Sequence, residues 1–147
     1  AVVSKSALLH KDGSIVADDG TTDYIELEAD AGDYFIVVKH RNHLAVMSAA
    51  AQTLSSGSST LYDFSTGTDK YYGADAALVD SVPSTVYAMY GADANGDGSV
   101  DADDRVATWN DRNNTGYESC DCSLSGTVDA DARAISWNNR NKTTNLP

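Results

Sequence analysis

The residues with the clearest chemistry form one acidic stretch, residues 93–104, whose letters read DANGDGSVDADD. Oxygen-bearing side chains occupy its first, third and fifth positions, a glycine its sixth, and a carboxylate its twelfth. Ca²⁺ takes about six to eight oxygen ligands, and glycine permits the sharp turn that wraps a chain around the ion. The spacing therefore predicts a calcium-binding loop.

Five residues of this loop are predicted to coordinate the ion. Three supply side-chain oxygens, the fourth its backbone carbonyl, and the last a carboxylate that closes the loop. In chain order they are Asp93, Asn95, Asp97, Ser99 and Asp104. The alternative is a turn that binds nothing, because Asn-Gly and Asp-Gly pairs form turns without a metal.

Composition and charge restrict the class of protein. The chain has 147 residues, of which 41% are hydrophobic, enough for one ordinary domain, alone or with a small module. A formal charge of −12 argues against nucleic-acid binding, because few cations could neutralise phosphates. No apolar run reaches the length of about 18 residues that predicts a membrane span, and we expect no cleavable signal at the start. A calcium loop of modest affinity fills in extracellular water, so we expect an exported protein.

Residues 1–90 predict a mainly β fold, an antiparallel β-sandwich. Short runs that alternate in polarity or are rich in β-branched residues are separated by turns of Gly, Asp and Asn. The run at 34–40 is the most hydrophobic and is predicted to be a central strand, buried on both faces. The other predicted strands are 2–9 and 14–17, which form a hairpin, then 24–28, 44–47, 61–64 and 85–90.

Residues 91–147 predict a second domain, built from an internal repeat. After the acidic loop, residues 102–113 predict a short amphipathic helix whose apolar side chains, Val106 and Trp109, are three apart. The pattern returns with a constant offset of 28 residues, so that Trp137 matches Trp109. Two units too small to fold alone are expected to bury their apolar faces against each other.

The repeat pair resembles a dockerin, in which two calcium loops closed by Asp are each followed by a helix. The likeness includes the letters KHRNHLAVM at 39–47, VYAMYGAD at 86–93, and an Arg-x4-Asn-x-Arg-Asn pattern in both helices. This combination is similar to dockerin-like C-terminal regions of large exported bacterial surface proteins. The resemblance implies a β-sandwich joined to a small dockerin-like calcium-binding module.

The second loop, residues 121–132, departs from the family pattern. Serine occupies its third and fifth positions, at Ser123 and Ser125, and Ala132 replaces the closing acid. Because the closing acid supplies up to two ligand oxygens, we expect this loop to bind Ca²⁺ weakly or not at all.

The start of the sheet domain is the second departure from the resemblance. Similar proteins carry a strand before residue 1, and its loss would leave an unpaired sheet edge. Residues 1–9 of a neighbouring copy could fill that edge, and head-to-tail repetition would then build a fibre. The alternative is that an upstream segment was removed or is simply not part of the sequence in hand.

For the other residues that could carry chemistry, simpler roles are expected. His40 and His43, three apart, are predicted to point to opposite faces of one strand and therefore not to share an ion. Cys120 and Cys122 are too close in sequence for an unstrained disulfide and too few for a zinc site. No set of nucleophile, base and orienting group can be named, so we expect no enzyme.

Matched residues of the two repeats have alternative roles. Trp109 and Trp137 are expected to pack in a core or interface, with a carbohydrate platform as the alternative. Asn113 and Asn141 open Asn-x-Thr sequons, which predicts glycosylation, with helix capping as the alternative. The matched arginines are expected to brace the acidic loops or the neighbouring helix, or to form surface ion pairs; they are Arg105, Arg112, Arg133 and Arg140.

Together these features favour an extracellular calcium-binding structural or adhesion module. We expect it to be a subunit of a surface assembly or fibre made from copies of itself. One alternative is a dockerin-type anchor whose helix pair binds a cohesin-like receptor. Another is a carbohydrate-binding module that acts through exposed Tyr or Trp.

Overall fold

A computed structural model of the chain describes residues 2–10, 12–57, 59–80 and 85–147. Contacts between Cα atoms divide the chain into two compact units. The first comprises residues 1–32 and 53–59, and the second residues 33–52 and 60–147. The boundary predicted between residues 90 and 91 does not coincide with the limits of these units, and it stays a prediction.

The regular structure of the described residues consists of short strands, three 3₁₀ turns and two helices. The strands are β1 (Leu8–Leu9), β2 (Ile15–Val16), β3 (Gly32–Tyr34), β4 (Val37–His40), β5 (His43–Met47), β6 (Gln52–Leu54), β7 (Ala77–Asp80) and β8 (Val86–Ala88). The 3₁₀ turns are Phe64–Thr66, Thr68–Lys70 and Tyr72–Ala74, and the helices are α1 (Ala102–Asn110) and α2 (Ala130–Asn138). Each strand pairs with a single partner, in two-stranded sheets.

The first unit contains the predicted N-terminal hairpin in a shortened form. β1 pairs antiparallel with β2. The Asp12 carboxylate stabilises the turn between them by accepting hydrogen bonds from the backbone N–H and the hydroxyl of Ser14. The strand predicted at 24–28 is wrong, because these residues lie outside every strand of the described structure.

The second unit contains the longer strands. β4 and β5 form an antiparallel pair around a two-residue turn, which confirms the strand predicted at 44–47. The prediction of a central strand buried on both faces is wrong, because β4 has one neighbour and Val37 is 44% exposed. β7, which the sequence did not predict, pairs antiparallel with β8. The segment 61–64 forms no strand and leads into the first 3₁₀ turn.

The helices begin at matched caps and bury an unexpected face. Asp101 and Asp129 accept hydrogen bonds from backbone N–H groups in the first turn of α1 and α2. Val106 and Trp109 point outward, so the prediction that they form the buried face is wrong. The buried helical positions instead carry small or polar side chains, which permit close packing; they are Asp104, Thr108, Ala132 and Ser136.

The two repeats hold each other through equivalent backbone hydrogen bonds. Val100 donates to the carbonyl of Lys142 and accepts from the N–H of Asn141, both at 2.8 Å. The equivalent bonds, both at 2.9 Å, join Val128 to Asn113 and Asn114. Each loop is therefore tied to the segment that follows the helix of the other repeat.

The sheet and the repeats share one apolar core within the second unit. Leu44 of β5 packs with Ala92, Val100 and Cys122, and half-buried Tyr90 and Ile135 cover them. A second cluster lies within the repeats and contains Ala94, Cys120, Val128, Ala132 and half-buried Ala107. The acidic loop is thus continuous with a packed core.

Candidate metal site

The acidic loop, residues 93–104, winds tightly before it enters α1. Gly96 and Gly98 adopt left-handed backbone angles, with φ of 75° and 90°. A Cβ atom on Gly98 would lie 3.0 Å from the Cγ2 atom of Thr144, so a side chain there would also crowd the C-terminal segment. The backbone angle favours glycine at both positions, and at Gly98 the close approach of Thr144 does so as well.

Asp93 presents a buried oxygen that lacks a partner. Its side chain is only 4% exposed, and its Oδ2 atom accepts a hydrogen bond from the N–H of Gly98 at 3.1 Å. Its Oδ1 atom is buried and has no hydrogen-bond partner among the residues that the structure describes. An unsatisfied buried acceptor costs about 1–3 kcal/mol, and more when it is charged. A cation at this oxygen would remove that cost.

Asp104, at the twelfth position of the loop, is fully buried. Its Oδ1 atom accepts from the N–H groups of Ala94 at 2.8 Å and Asn95 at 3.3 Å. Its Oδ2 atom accepts from the N–H of Asp101 at 2.8 Å. One carboxylate therefore joins the start of the loop to the start of α1, and a carboxylate oxygen can accept a further interaction.

The middle of the loop is closed by local hydrogen bonds. The Asn95 side-chain oxygen accepts from the N–H of Asp97, and its amide donates to the Asp97 carboxylate, both at 2.9 Å. The other carboxylate oxygen of Asp97 accepts from the N–H of Ser99 at 2.9 Å. Within the described residues, no three side chains of His, Cys, Asp or Glu converge as a metal-binding group.

The electrostatics of the loop disfavour leaving its carboxylates uncompensated. Burial raises the pKa of Asp93, and the negative charges of Asp104 and Asp97 add to this rise, while the backbone N–H groups of Gly98 and Gly96 oppose it. The letters of the loop include no Lys, Arg or His. A bound cation would compensate charges that the loop itself leaves unbalanced.

The second loop, residues 121–132, has the same turn without the orphaned oxygen. Asp121, which matches Asp93, accepts from the Ser123 hydroxyl and the Ser125 N–H at its Oδ1 atom, both at 3.1 Å. Its Oδ2 atom accepts from the N–H of Gly126 at 2.8 Å. A serine hydroxyl thus satisfies the oxygen whose counterpart in the first loop has no partner. The residues fit a cation at the first loop better than at the second.

His40 and His43 lie together, which contradicts the prediction that they point apart. The two-residue turn between β4 and β5 separates them, so they stand opposite each other rather than along one strand. Their Nδ1 atoms are 3.0 Å apart, and both contact the Oδ1 atom of Asn42, at 3.1 and 2.8 Å. Burial, with the nearby His40 and Arg41 charges, lowers the pKa of His43 to about 4. The Asn42 turn residue was the signal that could have revealed the pair.

The cysteines and the sequon asparagines have distinct environments. Cys120 and Cys122 are free thiols and buried, and burial raises the pKa of Cys122 to about 12.

Asn113 and Asn141 are exposed and have left-handed backbone angles, with φ of 70° and 67°. That geometry agrees with the capping alternative, and glycosylation stays a prediction.

The two tryptophans are more than half exposed, so they do not pack in a core of this chain, and packing in an interface stays a prediction. Two guanidinium groups lie over each indole ring, one from the same repeat and one from the other repeat. A sugar would have to compete with these groups for the ring faces. The expectation that the arginines brace the neighbouring helix agrees with this arrangement.

Comparison of the chain with protein-family models, with curated proteins and with solved structures finds no match in any of the three. In the part of the chain that the structure describes, no helix combines the length and apolar character needed to cross a membrane.

Proposed function

We propose that this chain is a calcium-stabilised structural module of an extracellular assembly. The observation that carries the proposal is the buried Oδ1 atom of Asp93, which has no hydrogen-bond partner in the described part of the chain. It lies in a loop whose ligand spacing suits Ca²⁺. Asp93, Asn95, Asp97, the carbonyl of Ser99 and Asp104 would hold the ion. The bound ion would supply positive charge among acidic side chains and fix the loop.

Calcium binding would stabilise more than the loop itself. Ala92 precedes the loop and Val100 lies within it, and both pack against Leu44 of β5. Ordering the loop therefore also fixes residues of the shared core. A ligand that binds only the folded state adds about 2.7 kcal/mol of stability at a concentration one hundred times its Kd. The dissociation constants of extracellular calcium modules for Ca²⁺ lie in a range that suits an exported protein.

Exposed strand surfaces support the assembly part of the proposal. Leu78 and Val79 of β7 are 59% and 58% exposed, and β7 pairs only with β8 among the described strands. Apolar edges of this kind can pair with another chain. A complete β-sandwich formed with a strand from a neighbouring copy, such as residues 1–9, belongs to this proposal; Ala1 lies outside the described residues.

The proposal is tested by sedimentation velocity and electron microscopy of the purified chain in millimolar Ca²⁺ and in EGTA. We expect oligomers or filaments that grow with protein concentration in Ca²⁺ and are lost in EGTA. Monodisperse particles in both buffers, at every protein concentration, would remove the assembly function.

An anchoring function is the second candidate, and the exposed tryptophans and arginines of the helix pair favour it. Interfaces concentrate binding energy in Trp and Arg side chains. Such an anchor would bind a cohesin-like receptor, as the dockerin resemblance implies, while the chain itself remains monomeric. Monomers that bind a receptor through the helix pair would support this function over self-assembly.

A further inference from the structure

The outer side of the helix pair carries a surface of aromatic, apolar and cationic side chains. Trp109 is 56% exposed, Trp137 59% and Val106 57%. Large apolar side chains grouped on a surface often mark an interaction site. We call this surface the Trp/Arg face; it consists of Val106, Trp109, Trp137, Arg105, Arg112, Arg133 and Arg140.

The guanidinium groups of the Trp/Arg face are held in place by the indoles. Over the Trp109 ring lie Arg112 at 4.8 Å and Arg133 at 5.5 Å. Arg140 and Arg105 lie over the Trp137 ring at 4.8 and 6.0 Å. A stacked guanidinium still presents N–H groups at its edge, and its planar fork matches a carboxylate.

The charge of the Trp/Arg face contrasts with the rest of the chain. Four of the five arginines in the sequence belong to it, whereas the whole chain has a formal charge of −12. Arg105, Arg112 and Arg140 donate hydrogen bonds to backbone carbonyls. Among the described residues, none of the four arginines forms an ion pair. A partner that carries carboxylates beside apolar groups would complement this surface.

The first unit of the same chain contains a segment with that chemistry. Residues 23–30, the acidic segment, read DYIELEAD and include no cation. Glu26 and Glu28 are exposed, as are Tyr24 at 59% and Leu27 at 42%. In an extended conformation, Glu26 and Glu28 point to one side and Leu27 to the other. The segment belongs to no strand of the described structure.

We propose that the Trp/Arg face of one copy binds the acidic segment of a second copy. This inference rests on the proposed assembly function and names the contact that would build it. The two surfaces differ, so the contact is head-to-tail, and repetition leaves one free surface at each end of a growing chain. Arginine–carboxylate pairs with Glu26 and Glu28, and contacts of Trp with Tyr24 on the same side of the extended segment, supply the interface.

Complementary charge reversal tests this contact in the full chain with Ca²⁺ present. One variant combines Arg112→Glu and Arg140→Glu on exposed positions of the face, and the other combines Glu26→Lys and Glu28→Lys in the segment. In each variant alone, the face and the segment carry charges of the same sign and repel each other. We therefore expect self-association at least about tenfold weaker than in the original chain. Mixed in equal amounts, each variant meets a complementary surface on the other, and assembly returns.

A control reverses one exposed lysine that belongs to neither surface, Lys39→Glu, and should assemble as the original chain does. Rising NaCl should weaken assembly of the original chain, because salt screens exposed charges. Recovery in the mixture also shows that both variants are folded.

Failure of the inference can be told from failure of the proposed function. If the original chain assembles and both reversed variants do so equally well, the contact is wrong while the assembly function stands. If the original chain stays monomeric in Ca²⁺ at every concentration, both are wrong. If that monomer binds polygalacturonate, and Arg112→Glu with Arg140→Glu abolishes binding, the occupant is an acidic polysaccharide and not a second copy.

Discussion

The side-chain amide of Asn42 donates a hydrogen bond to the backbone carbonyl of Asp121 over 2.8 Å. Asn42 is fully buried in the turn between β4 and β5, and its backbone carbonyl accepts a hydrogen bond from the N–H of Ala92 at 2.8 Å. One turn residue of the sheet therefore contacts the start of both repeat loops. This contact explains how a short hairpin can position the acidic loop.

We predict that Asn42→Ala destabilises the chain. The substitution leaves the buried Asp121 carbonyl without its donor, which costs about 1–3 kcal/mol, and it also removes the acceptor for the two histidines. Urea unfolding followed by circular dichroism measures the change. Arg41→Ala, at the neighbouring turn position, serves as the control and should cost less. Equal losses for the two variants would contradict the role given to Asn42.

Asp104→Ala should cost stability even in EGTA. The variant removes the acceptor for three backbone N–H groups and the capping-box partner of α1, for a loss of about 1–3 kcal/mol. Asp103→Ala, at an exposed neighbouring position of the same helix turn, is the matched control and should change stability by well under half as much. Thermal unfolding of both variants in EGTA decides the comparison.

Stability should fall in mild acid because of His43. The pKa of His43 is lowered to about 4 in the folded chain, below the usual value of about 6.5 in an unfolded chain. Between these values the unfolded state binds more protons, so the contribution is full above pH 6.5 and is lost as the pH falls toward 4. His43→Gln should remove about 1–2 kcal/mol of this pH dependence. Parallel unfolding curves for the original chain and the variant across that range would refute the prediction.

The two cysteines should report on whether the repeats are folded. Burial raises the pKa of Cys122 to about 12, and Cys120 is buried beside the Asp111 carboxylate, with a Cys120 Sγ to Asp111 Oδ2 distance of 3.3 Å. Iodoacetamide at pH 8 should therefore modify the native thiols at least about a hundredfold more slowly than the unfolded ones. Mass spectrometry follows the reaction. Rapid modification of both thiols in the native chain would mean that the second loop is open.

Local sequence signals predicted some of these elements well. The Asp-Gly turn predicted the N-terminal hairpin, and the 28-residue offset predicted two matched loop-helix units. The strand at 44–47 and the start of α1 were also predicted correctly. In each case the deciding residues lie within a few positions of one another, as turn and capping residues do.

The features that were not predicted from the sequence depend on tertiary contacts. Residues 24–28 alternate as a strand should, but a strand also needs a partner, and pairing depends on distant residues. The small side chains at buried helix positions allowed close packing, so Trp109 faces outward although it is the largest apolar residue of α1. His40 and His43 share a side because a turn separates them.

The acidic loop was predicted from spacing alone, but its orphaned oxygen was not. Asp93 and Asp121 occupy the same position in the two loops, and the sequence could only show that Ser123 replaces an expected ligand. The structure adds that the Ser123 hydroxyl satisfies Asp121, while the Oδ1 atom of Asp93 has no partner. Because of this difference, we expect a single calcium-binding site per chain, in the first loop.

Isothermal titration of the chain with Ca²⁺, after removal of bound metal by EGTA, tests the central claim most directly. We expect one ion per chain, a melting temperature that rises with Ca²⁺, and an affinity at least about tenfold weaker in Asp93→Asn. Asp121→Asn, the matched change in the second loop, should leave the calcium affinity within about threefold of the original. An original chain that binds no Ca²⁺ and melts at the same temperature with and without it would contradict the account.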